Sequence, residues 1–188
     1  EEFSLKGQKY IALLAGSRKQ EIKTALPLFE QLAKTNPDLS FVIAGISDWK
    51  ELYQTNIPVL FDQTYDIVQQ AEMAIVTSGT ATLETALLNT PQIVVYKTDW
   101  VFYSLAKIVI QIKYISLVNI ILDKLAVPEL IQAKFSVEHM TAWMRDLLTK
   151  GKTYQQQKND YMELQKVVGN AGASKKTAEL IYSAASAK

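Results

Sequence analysis

At 188 residues, with 48% apolar and 21% charged side chains, the chain has the makeup of one soluble globular domain, long enough to bury roughly 70% of its unfolded surface. Twenty basic against 19 acidic residues leave a net charge of +1, so no global field draws nucleic acid or an anionic membrane. Without cysteine, disulfides, thiolate metal sites and a cysteine nucleophile are excluded, and a reducing cytoplasm is the expected compartment. The start, "EEFSLKGQKY", carries no basic-then-apolar leader and no initiator methionine, as expected of a processed or cut chain.

Apolar runs of strand length recur at Tyr10–Ala15, Phe41–Ala44, Pro58–Phe61, Met73–Val76 and Ile93–Tyr96. Helical spacing fills the gaps at Glu21–Ala33, Tyr65–Ala71, Thr80–Leu88 and Val101–Ile112. Strands that are apolar on both faces and alternate with helices predict an open α/β domain whose parallel sheet is covered on both sides. The stretch Trp100–Leu122 is apolar enough to raise a membrane span, but Lys107, Gln111 and Lys113 would lie near its centre. Its first half instead reads as an amphipathic helix through Phe102, Leu105, Ala106, Val109 and Ile110. That face fits packing on the sheet, and also a membrane-surface or partner contact. After Asn119 the pattern predicts helices only, at Ser136–Thr149, Tyr154–Val168 and Ser174–Ala185, with Gly169 and Gly172 as a helix stop and restart. The expected organisation is one domain, a sheet core over about 9–122 and a helical extension over about 136–186.

In such a sheet ligands bind beyond the C-terminal strand ends, where loops enter helix N-termini. Three turns qualify: "AGSRKQE", "TSGTATLE" and "KTDW". The first lacks the second glycine and lysine of a P-loop and lacks G-x-G-x-x-G. It retains Gly16, Ser17 and Arg18, and Arg18 has two readings. It is an exposed side chain where the helix dipole disfavours positive charge, or it forks onto a bound phosphate that removes that conflict. In the second turn Gly79 admits close backbone approach, and Ser78, Thr80 and Thr82 bring hydroxyls beside the unpaired N–H groups of a helix start. That is an anion cradle. Glu84, four residues past Thr80, shares its face and suits a sugar diol; a well-capped helix with a solvated Glu84 is the other reading. Hydrolase chemistry is unsupported, because "TSGTA" is not G-x-S-x-G and the one histidine, His139, reads as a surface residue. No His or carboxylate pairs have metal-ligand spacing.

Taken together, "LLAGSRKQEI", "TYDIVQQAEMAIVTSGTATLETALLNTPQIVVYK", "YISLVNIILDKLAVPELIQ" and "GNAGASKKTAELI" resemble, in order and spacing, the C-terminal half of the lipid-A-disaccharide synthase family. The resemblance runs from about Tyr10 to Ile181 and is carried chiefly by "SGTATLE" and "VPELIQ". It implies an inverting glycosyltransferase with a two-lobed GT-B architecture, of which this chain is the Rossmann-like lobe that binds UDP-2,3-diacylglucosamine. No cofactor is implied. By that resemblance Gly16, Ser17 and Arg18 meet the diphosphate, with Arg18 stabilising the leaving group. Ser78, Gly79, Thr80, Ala81 and Thr82 surround the diphosphate, Glu84 binds the ribose, and Asn119, Glu129 and Gln132 complete the donor pocket. Ala15 and Val118 stand where the family more often has proline. The acceptor, 2,3-diacylglucosamine 1-phosphate, and the general base belong to an N-terminal lobe for which this chain has no room. Acylated substrates imply a peripheral position on the inner face of the bacterial inner membrane. A last helix crossing to the missing lobe would leave an apolar face here that promotes homo-oligomers. A UDP-sugar 2-epimerase and a non-catalytic nucleotide-binding or interaction module are the alternatives.

Overall fold

The computed structural model describes residues 7–98, 113–169, 177–179 and 181–183. Six strands, β1 (Ile11–Leu14), β2 (Phe41–Gly45), β3 (Val59–Phe61), β4 (Met73–Thr77), β5 (Gln92–Tyr96) and β6 (Glu129–Ile131), form one parallel sheet in the order β3-β2-β1-β4-β5-β6. The helices are α1 (Lys19–Thr35), α2 (Thr64–Gln70), α3 (Thr80–Leu87), α4 (Leu117–Leu122), α5 (Val137–Leu148) and α6 (Lys152–Val168), with 3-10 turns at Ser47–Leu52 and Gln132–Lys134. This is the open, doubly wound α/β arrangement that the alternating runs predict.

The strands are apolar throughout because both faces are covered. Ile11, Leu13 and Ala15 enter a core with Ile22 and Phe29 of α1 and Met140 and Met144 of α5. Tyr10, Ala12 and Leu14 enter the opposite core with Ile67 and Val68 of α2. Burial and the nearby Asp66 push the Tyr10 phenol up to about 12, and its hydroxyl donates to the Ile67 carbonyl at 2.7 Å. A third core joins Ala86 of α3, Val94 of β5, Val118 of α4, and Tyr161 and Leu164 of α6. β1 pairs with β2 on one side and β4 on the other, so the strand order reverses between β1 and β4. At such a reversal the loops at the carboxyl ends of the strands diverge and leave a crevice.

The expectation of helices alone after Asn119 is corrected by β6, which pairs with β5 through Val94↔Glu129 and Tyr96↔Ile131. The sheet therefore runs to Ile131, past the expected limit near residue 122. Three residues are too few to display a period of two, and a glutamate after a proline is a poor strand signal. α4 is a further element that the sequence reading lacked. Gly169 does stop a helix: it caps α6 with φ 78°. The expected helix Val101–Ile112, including Phe102 and Ile110, lies outside the described residues. So does most of Ser174–Ala185, of which residues 177–179 and 181–183 are described and helical. No helix among the described residues is long and apolar enough to cross a membrane.

Candidate functional site

A cleft of about 470 Å³ opens at the reversal between β1 and β4. Its walls come from the turn after β1 (Gly16, Ser17, Arg18, Glu21), the turn after β4 (Thr77 to Ala81, with Glu84) and the start of α2 (Thr64, Tyr65). A wider surface groove of about 700 Å³ between α1 and α5 is lined by Leu28, Phe135 and Thr141 among others. It touches none of the strand ends where helix N-termini converge, so the cleft is the candidate site despite its smaller volume.

The turn after β4 matches expectation in its backbone and departs from it in its side chains. The ladder runs one residue past β4, with Ser78 N donating to Val95 O at 2.9 Å. Beyond it, the N–H groups of Gly79, Thr80 and Ala81 have no acceptor among the described residues. They open α3, whose N-cap Gly79 has no side chain to fold back on them. A Cβ at Gly79 would meet nothing within 4 Å, so the space over these donors is open. Of the three expected hydroxyls, only that of Thr80 remains to face the cleft. Ser78 Oγ donates to Ile115 O at 2.9 Å, and the fully buried Thr82 donates to Gly79 O at 2.8 Å. Their short side chains reach neighbouring carbonyls, which sequence spacing does not reveal. Glu84 lines the cleft one turn along α3, as its spacing from Thr80 predicts.

The structure adds Thr77 to this group. It is the last residue of β4, is 7% exposed and lines the cleft, and its hydroxyl has no hydrogen-bond partner among the described residues. A buried polar group is normally paired, and this one ends the strand that leads into the turn whose N–H groups are open. A polar side chain ending the apolar run "MAIV" is the signal that could have found it.

The turn after β1 resolves the Arg18 question from within the chain. Glu21 Oε2 accepts from Ser17 N and Arg18 N at 3.0 and 3.1 Å, and Glu21 Oε1 pairs with Arg18 Nη1 at 2.9 Å. Gly16 makes this possible: its φ is 99°, and a Cβ there would lie 2.4 Å from Glu21 Oε2. Glu21 thus brings a carboxylate to this helix start, reaching back to the N-cap residue from the third helical position. The guanidinium, 80% exposed, remains at the rim of the cleft. Ser17 O also takes Trp49 Nε1 at 3.3 Å, which ties this turn to the one after β2.

Asn119, Glu129 and Gln132 do not line the cleft. Glu129 accepts from Ile115 N, Ser116 N (2.9 Å) and Asn119 Nδ2 (2.8 Å). Asn119, fully buried, donates Nδ2 to Val127 O and accepts from Val127 N, each at 2.9 Å. The two form a bracket that fixes Ile115, whose carbonyl in turn holds Ser78. In this arrangement they support the turn after β4. Gln132 adopts φ 54° just after β6, and its buried Nε2 has no partner among the described residues. His139 is exposed, as its surface reading implies, and its ring lies 2.9 Å from the hydroxyl of Ser136, the N-cap residue of α5.

Known proteins resemble this chain in sequence and in fold. The family model described as Lipid-A-disaccharide synthetase matches residues 4–183. A lipid-A-disaccharide synthase of Persephonella marina is 32% identical over 94% of this chain and 51% of its own length. One from Psychromonas ingrahamii is 33% identical over 85% and 45%. The chain spans about half the length of these curated relatives. Among solved structures, spinosyn rhamnosyltransferase SpnG complexed with thymidine diphosphate superposes with TM-score 0.56 at 18% identity, over 85% of this chain and 41% of that one. The trehalose 6-phosphate synthase of Burkholderia multivorans superposes with TM-score 0.54 at 12% identity, over 98% and 45%. These neighbours share the GT-B glycosyltransferase fold.

Proposed function

The chain belongs to the lipid-A-disaccharide synthetase family, and from that membership we propose that it is the nucleotide-sugar half of the transferase, binding UDP-2,3-diacylglucosamine in the cleft between β1 and β4. The observation that carries this reading is the open start of α3: three N–H groups without an acceptor among the described residues, at the positive end of a helix dipole. The pyrophosphate lies there. Glu84, one turn along, accepts from the ribose diol, and Tyr65, 57% exposed at the mouth, offers an aromatic face to the base.

In this account the lobe grips the departing UDP, on which charge develops as the glycosidic bond breaks, and fixed N–H donors are suited to that charge. Arg18, held by Glu21, adds a cation at the rim. The attacking hydroxyl belongs to 2,3-diacylglucosamine 1-phosphate, which the other half of the enzyme holds along with the general base. The isolated chain therefore binds UDP and forms no disaccharide. The acylated substrates place the whole enzyme peripherally on the cytoplasmic face of the inner membrane.

Calorimetry with UDP and ADP tests the reading. Saturable binding with a clear preference for UDP is expected, and equal affinities would instead indicate a general nucleotide-binding module. Glu84→Ala should weaken UDP about tenfold, the size of a hydrogen bond to a charged group, while leaving inorganic pyrophosphate unaffected. An equal loss for both ligands would remove Glu84 from the ribose.

A further inference from the structure

Three helix N-termini line the cleft, those of α1, α2 and α3, and those of α1 and α3 differ in one respect. At α3 the leading N–H groups are open, whereas at α1 those of Ser17 and Arg18 already hold the Glu21 carboxylate at 3.0 and 3.1 Å. Glu21 is a fixed part of the wall: its side chain is 12% exposed, against 80% for its partner Arg18. An exposed cation is screened by water and salt more than a partly buried anion. At α1 the cleft therefore carries a fixed carboxylate beside a solvent-screened guanidinium, and the N–H donors that would grip a second anionic group there are held by that carboxylate.

We propose that Glu21 is a specificity residue that confines the cleft to nucleoside diphosphates by excluding the additional phosphate of a triphosphate from the α1 side. This rests on the reading of the cleft as a nucleoside-diphosphate site. A glutamate that only caps α1 would make the same hydrogen bonds with no effect of its charge on ligand choice, and that difference is measurable. Glu21→Gln retains a side-chain oxygen to accept from Ser17 N and Arg18 N and removes the charge.

The experiment is calorimetry of UDP and UTP, without divalent cations, on the wild-type chain and Glu21→Gln, with thermal unfolding of both. Wild type should favour UDP over UTP by about tenfold, the effect of one added charge pair at partly screened distance, and Glu21→Gln should reduce that ratio to about threefold or less. An unchanged ratio in a folded Glu21→Gln chain overturns the proposal while leaving the UDP site standing. Absence of UDP binding to wild type overturns both. Should the variant not fold, the salt dependence of the wild-type ratio reads the same charge. Repulsion from Glu21 predicts that raising the salt improves UTP relative to UDP, and a change in the opposite direction overturns the proposal.

Discussion

Thr80→Asp should lower UDP affinity about 100-fold with no loss of fold. Thr80 is the first residue of α3, exposed at the cleft, with its N–H among the three open donors. An acidic residue in the first turn is favoured by the helix dipole by about 0.3–1 kcal/mol, so the unfolding temperature should hold or rise slightly. In the cleft the same carboxylate competes for the open N–H groups and repels the pyrophosphate. Two unit charges about 4 Å apart interact by roughly 1 kcal/mol in water and 4 kcal/mol near a protein surface, and the middle of that range corresponds to about 100-fold. Calorimetry gives the affinity and circular dichroism the fold. A loss under about threefold in a folded variant would place the pyrophosphate away from α3.

Gln157→Leu should cost about 3 kcal/mol of stability, because it leaves two buried backbone groups without partners at about 1–3 kcal/mol each. Gln157, 1% exposed on α6, acts as a stand-in strand. Its Oε1 accepts from Gln92 N at 2.9 Å and its Nε2 donates to Gln92 O at 3.0 Å, at the first residue of β5. Tyr161 OH donates to the same Oε1 at 3.1 Å, and burial holds that phenol well above the ordinary tyrosine range. Gln92 Nε2 then donates to Thr82 O at 2.9 Å, which carries the network from α6 into the first turn of α3. Leucine fills similar volume and pairs nothing. For a chain of this length a loss of that size corresponds to a fall in unfolding temperature of about 6–12 °C, measurable by urea and thermal unfolding. A loss under about 1 kcal/mol would show that the amide pairing is not what anchors α6.

The sheet was legible because burial on both faces leaves unbroken apolar runs, "YIALLA" and "MAIV" among them, between segments of helical period. β6 was not, because its evidence is tertiary: Glu129 and Ile131 become strand by pairing with Val94 and Tyr96, and no three-residue window records that. The site was legible at the level of turns. "TSGTATLE" does open a helix with free N–H groups, and Glu84 does share the cleft with Thr80. The individual side chains were harder, since a short hydroxyl chooses between ligand and nearest carbonyl by local geometry. Ser78 takes Ile115 and Thr82 takes Gly79, while Thr77, unremarkable in sequence, has no partner among the described residues. The electrostatic conflict at Arg18 was correctly located, but its solution lay three residues away in Glu21, at a spacing present in "SRKQE". Asn119 and Glu129 hold Ile115, whose carbonyl accepts from Ser78, a contact visible only once strand and loop are brought together.

The most direct test is an amide nitrogen–proton NMR titration of the chain with UDP. The account predicts saturable shifts that are largest at the N–H groups of Gly79, Thr80 and Ala81, with smaller changes at Ser17 and Arg18, whose N–H groups stay on Glu21. Largest shifts at Ser17 and Arg18, or no saturable shift in the turn after β4, would contradict it.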